Sequence, residues 1–130
     1  METKKYIGID DLEVYQFARK LSVIGWDIYN KFDWQTKKVI GDQFITSTDS
    51  VGANIAEGYA RYHFLDKIKF YYNARGSLSE AVDHWAPLLL ERKLVDKATY
   101  VKFHEVGRTV SIKLQNFISG TYKAKTESKQ

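Results

Sequence analysis

Residues 47–80, STDSVGANIAEGYARYHFLDKIKFYYNARGSLSE, decide the fold. The first part carries a helical pattern. Ile40, Phe44, Ser47, Val51, Asn54, Ile55 and Gly58 fall on one face at the period of an α-helix. Gly58, which tolerates a left-handed backbone, is expected to close that helix. A short basic and aromatic loop follows, and then a second helix. This helix carries Phe64, Ile68, Tyr71, Arg75, Leu78, Val82, Trp85 and Leu89 on one stripe. Two residues interrupt these apolar faces. A buried Asn54 amide without partners costs free energy, and the Arg75 guanidinium cannot be neutralised, so each needs a partner. Arg75 is therefore expected to be buried and paired with Glu57 across the hairpin, or with Asn54 and a carbonyl. With Glu80 these residues would form a polar cluster that fixes helix register.

Two more helices flank this hairpin. Val14, Ala18, Leu21, Gly25, Ile28 and Phe32 alternate spacings of four and three, which gives a first helix over about residues 11–32. Asp10 and Glu13 have the form of a capping box in front of it. The second helix covers about 36–57, with Asp33 or Thr36 as cap, and the third about 64–92. Pro87, the single proline, is expected to kink the third near its end. Asp96 caps a fourth helix whose seam is Tyr100, Phe103, Gly107, Val110, Leu114 and Phe117, with Gly120 as its stop. The expectation is an all-α, up-and-down antiparallel four-helix bundle over residues 10–118. A flexible lead at 1–9 and a polar, disordered tail at 119–130 would complete the chain.

Composition bounds the function. A chain of 130 residues holds one domain with a real core. There is no cysteine, which excludes disulfides and thiolate chemistry and suits a reducing cytoplasm. The first residues, METKKYIGID, lack the apolar run of a signal peptide, and no stretch is long enough to span a membrane. The net charge of +4 allows attraction to nucleic acid without demanding it.

No enzyme constellation emerges, and no catalytic, cofactor-binding or metal residue is assigned. Di-iron bundles need Glu-x-x-His pairs, and none of His63, His84 and His104 follows a glutamate at that spacing. Glu80 and His84 are better read as a solvated face. There is no Gly-x-Ser-x-Gly turn and no phosphate loop. Two surfaces remain. Arg61, Lys67 and Lys69 lie among Tyr59, Tyr62 and Phe64, a mixture that suits phosphate contacts and base stacking. Tyr15, Trp26 and Tyr29 form a second stripe on the first helix, beside its core seam, and are expected at an oligomer interface.

Asn54-Ile55-Ala56-Glu57-Gly58, a short loop and then Ala74-Arg75-Gly76-Ser77-Leu78-Ser79-Glu80 on a helix resemble the 23S ribosomal RNA intervening-sequence protein family, a bacterial four-helix-bundle family. Accessory proteins of diversity-generating retroelements look like more distant relatives. The resemblance runs over about residues 11–117. It departs at Val51-Gly52 and at Phe32-Asp33, where the family often has a proline. It implies the bundle fold and a ring, most often a homopentamer. It also implies a non-enzymatic RNA- or DNA-associated scaffold. The alternatives are a ring that docks a partner enzyme such as a reverse transcriptase, and a ligand-binding or enzymatic bundle using Asn54, Glu57 and Arg75.

Overall fold

The computed structural model describes residues 7–128, and among them the chain is helical with no strand. Four long helices run up and down. A 3-10 turn, Ile9–Asp11, leads into α1, Glu13–Asn30. Helix α2, residues 34–60, is continuous through Trp34–Thr36, a π turn at Lys37–Gly41, and Asp42–Ala60. Helix α3, residues 64–91, has the same construction: Phe64–Ser79, a π turn at Glu80–Trp85, and Ala86–Glu91. Helix α4 is Lys97–Ser128. Sequence neighbours pack side by side, and α4 closes back onto α1.

The core follows most of the seam the periodicity predicts, with Ala74 buried in place of Arg75 and Ile118 in place of Phe117. Leu21, Phe44, Tyr71, Phe103, Leu114 and Ile118 are almost wholly buried. The Phe44 and Phe103 rings meet at 5.3 Å, and Tyr71 stands edge-on to Phe117 at 4.9 Å. The buried hydroxyls of Ser47 and Thr48 both donate to the Phe44 carbonyl, at 3.0 and 2.8 Å, so they enter the core already satisfied.

Two of the expected caps form. The Asp33 carboxylate accepts from the Thr36 N–H at 2.8 Å, and Asp96 accepts from the Thr99 N–H at 2.7 Å. These bonds hold both carboxyls below their ordinary pKa. The capping box at α1 does not form. Asp10 is taken into the 3-10 turn, Leu12 occupies the cap position, and Gln16 Nε2 instead donates to the Asp10 carbonyl at 2.8 Å.

Neither glycine expected to stop a helix does so, and no glycine described has positive φ. At Gly58 the reason is packing. A Cβ there would stand 2.7 Å from Tyr71 Cε1 and 3.0 Å from the Lys67 carbonyl, so the residue buys close approach of α3 rather than a turn. The chain reverses at Lys93 instead, which takes φ 59. There the Leu94 N–H reaches the Leu89 carbonyl at 2.9 Å and the Lys93 N–H reaches Leu90 at 3.0 Å. That is a Schellman closure built without glycine. Pro87 follows the second π turn, where the Ala86 N–H has already moved to the Ala81 carbonyl. The register break that a proline requires is absorbed there.

The expected disordered tail at 119–130 is helical as far as Ser128. Gly120 lies mid-helix, Thr121 Oγ1 back-bonds to the Phe117 carbonyl at 2.9 Å, and Thr126 does the same to Tyr122 at 3.1 Å. The expected lead at 1–9 falls mostly on residues 1–6, outside the described residues; Ile7 is tied down, its carbonyl accepting from the Tyr59 hydroxyl.

Candidate nucleic-acid interface

The basic loop between α2 and α3 was the place the sequence offered for phosphate contacts. Its cations are largely spent. Arg61 pairs with Glu57 at 2.6 Å and lies over the Phe70 ring at 4.7 Å. Lys67 donates to the Tyr59 carbonyl at 2.8 Å and sits over the Tyr59 ring at 5.4 Å. It thereby caps the open carbonyls at the C-terminus of α2, where a cation is favoured. Its partial burial pushes its pKa down. Lys69 is exposed, and it alone of the three stays fully available to an outside phosphate.

The polar cluster does not assemble. Arg75 is exposed, and Ala74 takes the buried place beside Tyr71 and Leu78. The two positions flank the same seam, one residue apart, and the smaller side chain turns inward. Arg75 donates to Gln115 Oε1 on α4 at 3.1 Å and stacks over Tyr72 at 4.6 Å. Glu57 belongs to Arg61. Half-buried Asn54 donates to the Ser50 carbonyl at 2.9 Å, within its own helix. Exposed Glu80 accepts from Trp85 Nε1 at 2.9 Å. Four separate local contacts thus replace one buried network.

The aromatic stripe on α1 divides. Tyr15 and Tyr29 are half-buried, with hydroxyl partners in Arg19 at 3.0 Å and Asp42 at 2.6 Å. Trp26 is 51% exposed and stacks on Tyr29 at 5.4 Å. Val23, one turn before it on the same face of α1, is 62% exposed, and on the first turns of α2 Trp34 and Val39 are 74% and 61% exposed, Trp34 beneath the Lys38 ammonium at 4.6 Å.

A second surface escaped the sequence reading. An open groove of about 610 Å³ runs between α3 and α4, with Arg75, Gly76 and Ser79 on one wall and Arg108, Ser111 and Ile112 on the other. Tyr72 closes one end, and its hydroxyl lies near that of Tyr122 and raises the Tyr122 pKa. Asp83, which accepts from Ser79 Oγ at 3.2 Å, lies toward the other end. The residues of this groove come from segments far apart in the chain. Only the phase of Ala74 against Arg75 hinted at it. Among the described residues no group of three or more histidines and carboxylates could hold a metal, and no helix is long and apolar enough to cross a membrane.

An all-helical antiparallel bundle with a groove lined by arginines and an aromatic ring on one face and exposed Val23 and Trp26 on another is the class of protein these features define. The sequence pattern of the 23S rRNA-intervening sequence protein family matches residues 10–116, and the chain belongs to that family. Among solved structures, one from Bacteroides thetaiotaomicron VPI-5482, described as a protein of unknown function from the S23 ribosomal protein family, superposes with a TM-score of 0.76. It is 21% identical and covers 86% of this chain and 99% of its own. It shares the fold. No curated protein matches.

Proposed function

We propose that the protein is a non-enzymatic bundle that self-associates and serves as a cytoplasmic, RNA- or DNA-associated scaffold. The observation that carries this reading is the pair Val23 and Trp26, neighbours on the outer face of α1 and each more than half exposed. Uncovered apolar surface of that kind marks an interface. The homopentameric ring implied by the family resemblance needs two different patches per subunit, joined head to tail. A ring repeats every cation it carries, so weak phosphate contacts on one subunit add up to useful avidity. The three histidines support a non-catalytic role. His63 stands before α3 against Tyr62, His84 packs on Trp85 and His104 lies beside Tyr100, and among the described residues no three histidines and carboxylates gather as a metal set.

Sedimentation velocity at micromolar concentration tests the assembly. Wild type is expected to sediment at a multiple of 15.1 kDa, and Val23→Ser/Trp26→Ser at the monomer mass. A monomeric wild type removes the ring. A Val23 and Trp26 face that then captures a partner protein would favour the docking-module reading.

A further inference from the structure

We infer that the α3/α4 groove is the nucleic-acid site, and that it takes a single strand along its length. This rests on the nucleic-acid part of the proposed function and moves the contact away from the loop at 58–63.

The cations on this face are free where Arg61 and Lys67 are not. The Arg108 side chain makes no hydrogen bond or ion pair among the described residues, and neither do those of Lys69 and Lys123, which the helical period carries beyond the Tyr72 and Tyr122 end of the groove. Arg75 is held differently. The Tyr72 stack takes one face of its guanidinium and Gln115 takes one N–H, which leaves further donors for a phosphate in a fixed orientation. Against these the groove holds one carboxylate, Asp83.

The shape and the neutral residues agree with the charge. A Cβ on Gly76 would meet nothing within 4 Å, so the groove floor is open to a backbone. Ser79 and Ser111 put hydroxyls on facing walls. Tyr72 and Tyr122 are 38% and 41% exposed and their hydroxyls neighbour each other, which gives an aromatic surface at this end of the groove. Aromatic rings beside a basic groove bind single strands by stacking on unpaired bases. A groove of about 610 Å³ has room for a nucleotide or two, far less than a duplex needs. The contacts read phosphates and base faces, so little sequence preference is expected.

The test is fluorescence anisotropy with a labelled unstructured oligonucleotide, as RNA and as DNA, and with a duplex. Each is measured at two salt concentrations with sedimentation run in parallel. Wild type is expected to bind both single strands and to lose affinity with salt. Arg108→Gln/Lys123→Gln should weaken binding at least ~10-fold and lower the log–log salt slope by about 1.4, the counterions of two phosphates. Tyr122→Leu should weaken binding and leave the slope unchanged, because stacking releases no counterions. Arg61→Gln, in the loop, should bind as wild type does.

Equal binding by wild type and both groove variants would overturn the site and leave the nucleic-acid reading standing. Failure of wild type to bind any probe at low salt would overturn both. Groove variants that change the sedimentation coefficient instead of binding would make this face a contact between copies and also overturn the site. Preferential binding of the duplex would overturn the single-strand assignment.

Discussion

The Tyr71 ring occupies the space that a side chain on Gly58 would need, 2.7 Å from the position of its missing Cβ. This contact joins the first motif, at Gly58, to α3 one turn before the second motif begins at Ala74. It explains why a glycine sits inside α2, where it costs helix stability, with no turn to show for it.

Substituting Gly58→Ala sets two effects against each other. Alanine is favoured in a helix interior by about 1 kcal/mol. The added methyl meets the Tyr71 ring and the Lys67 carbonyl, and backbone cannot swing aside. Overpacking of that kind costs about 1–3 kcal/mol, so the sum is expected to be destabilising. Urea unfolding with a lower midpoint and an unchanged slope is the expected result. A midpoint at or above that of wild type would mean that Tyr71 has somewhere else to go.

Arg75 and Glu57 lead to a small effect where a buried pair would give a large one. Breaking a buried ion pair costs about 3–5 kcal/mol. With both residues exposed and differently partnered, Arg75→Met and Glu57→Ala should each fall within about 0.5 kcal/mol of wild type. Thermal melts of the two variants and their double mutant check it. Strong coupling between them would restore the buried pair.

These two residues also mark how far the sequence could be read. The four helices, their order and most of the core were legible because apolar residues repeat at the helical period over more than a dozen positions. Caps at Asp33 and Asp96 were legible because they are local chemistry. The placement of Arg75 was not, since a seam one residue wide can pass through 74 or 75 and only packing against α4 decides. The same holds for Lys67, whose capping of α2 depends on the angle between two helices. Gly58 and Gly120 were misread for one reason: glycine permits a left-handed turn and does not require it. The groove between α3 and α4 combines residues about thirty positions apart, beyond any local pattern.

Burial of Tyr71 makes the fold sensitive to alkali. Removal from water raises its pKa well above that of a free phenol, with the nearby Tyr59 adding to the rise. In the unfolded chain the same group ionises near 10. Its contribution is therefore intact below about pH 10, where neither state has lost the proton. Above that, the unfolded chain releases a proton that the folded chain keeps, and stability falls by at most about 1.4 kcal/mol per pH unit. Unfolding free energy measured across pH 9–12 should show a shallower decline in Tyr71→Phe than in wild type. Parallel curves would mean that Tyr71 ionises without unfolding.

The end of α4 offers a test of whether the chain beyond Ile118 is helix or coil. Gly120 is exposed, and a Cβ there would meet nothing within 4 Å. Packing is therefore silent at this position and only the backbone responds. If residues 121–128 are helical, Gly120→Ala removes a glycine from a helix interior and stabilises this segment by up to about 1 kcal/mol. The gain should appear as increased ellipticity at 222 nm and slower amide exchange in residues 121–128. The global unfolding midpoint should move less, because this segment extends beyond the buried seam that ends at Ile118 and opens on its own. In a coil the same substitution would leave exchange at the rate of a free peptide. Tyr72→Phe gives an independent control. It removes the hydroxyl that neighbours Tyr122 and should speed exchange in the same residues. Fast exchange in wild type, unmoved by either substitution, would return residues 121–128 to a disordered tail.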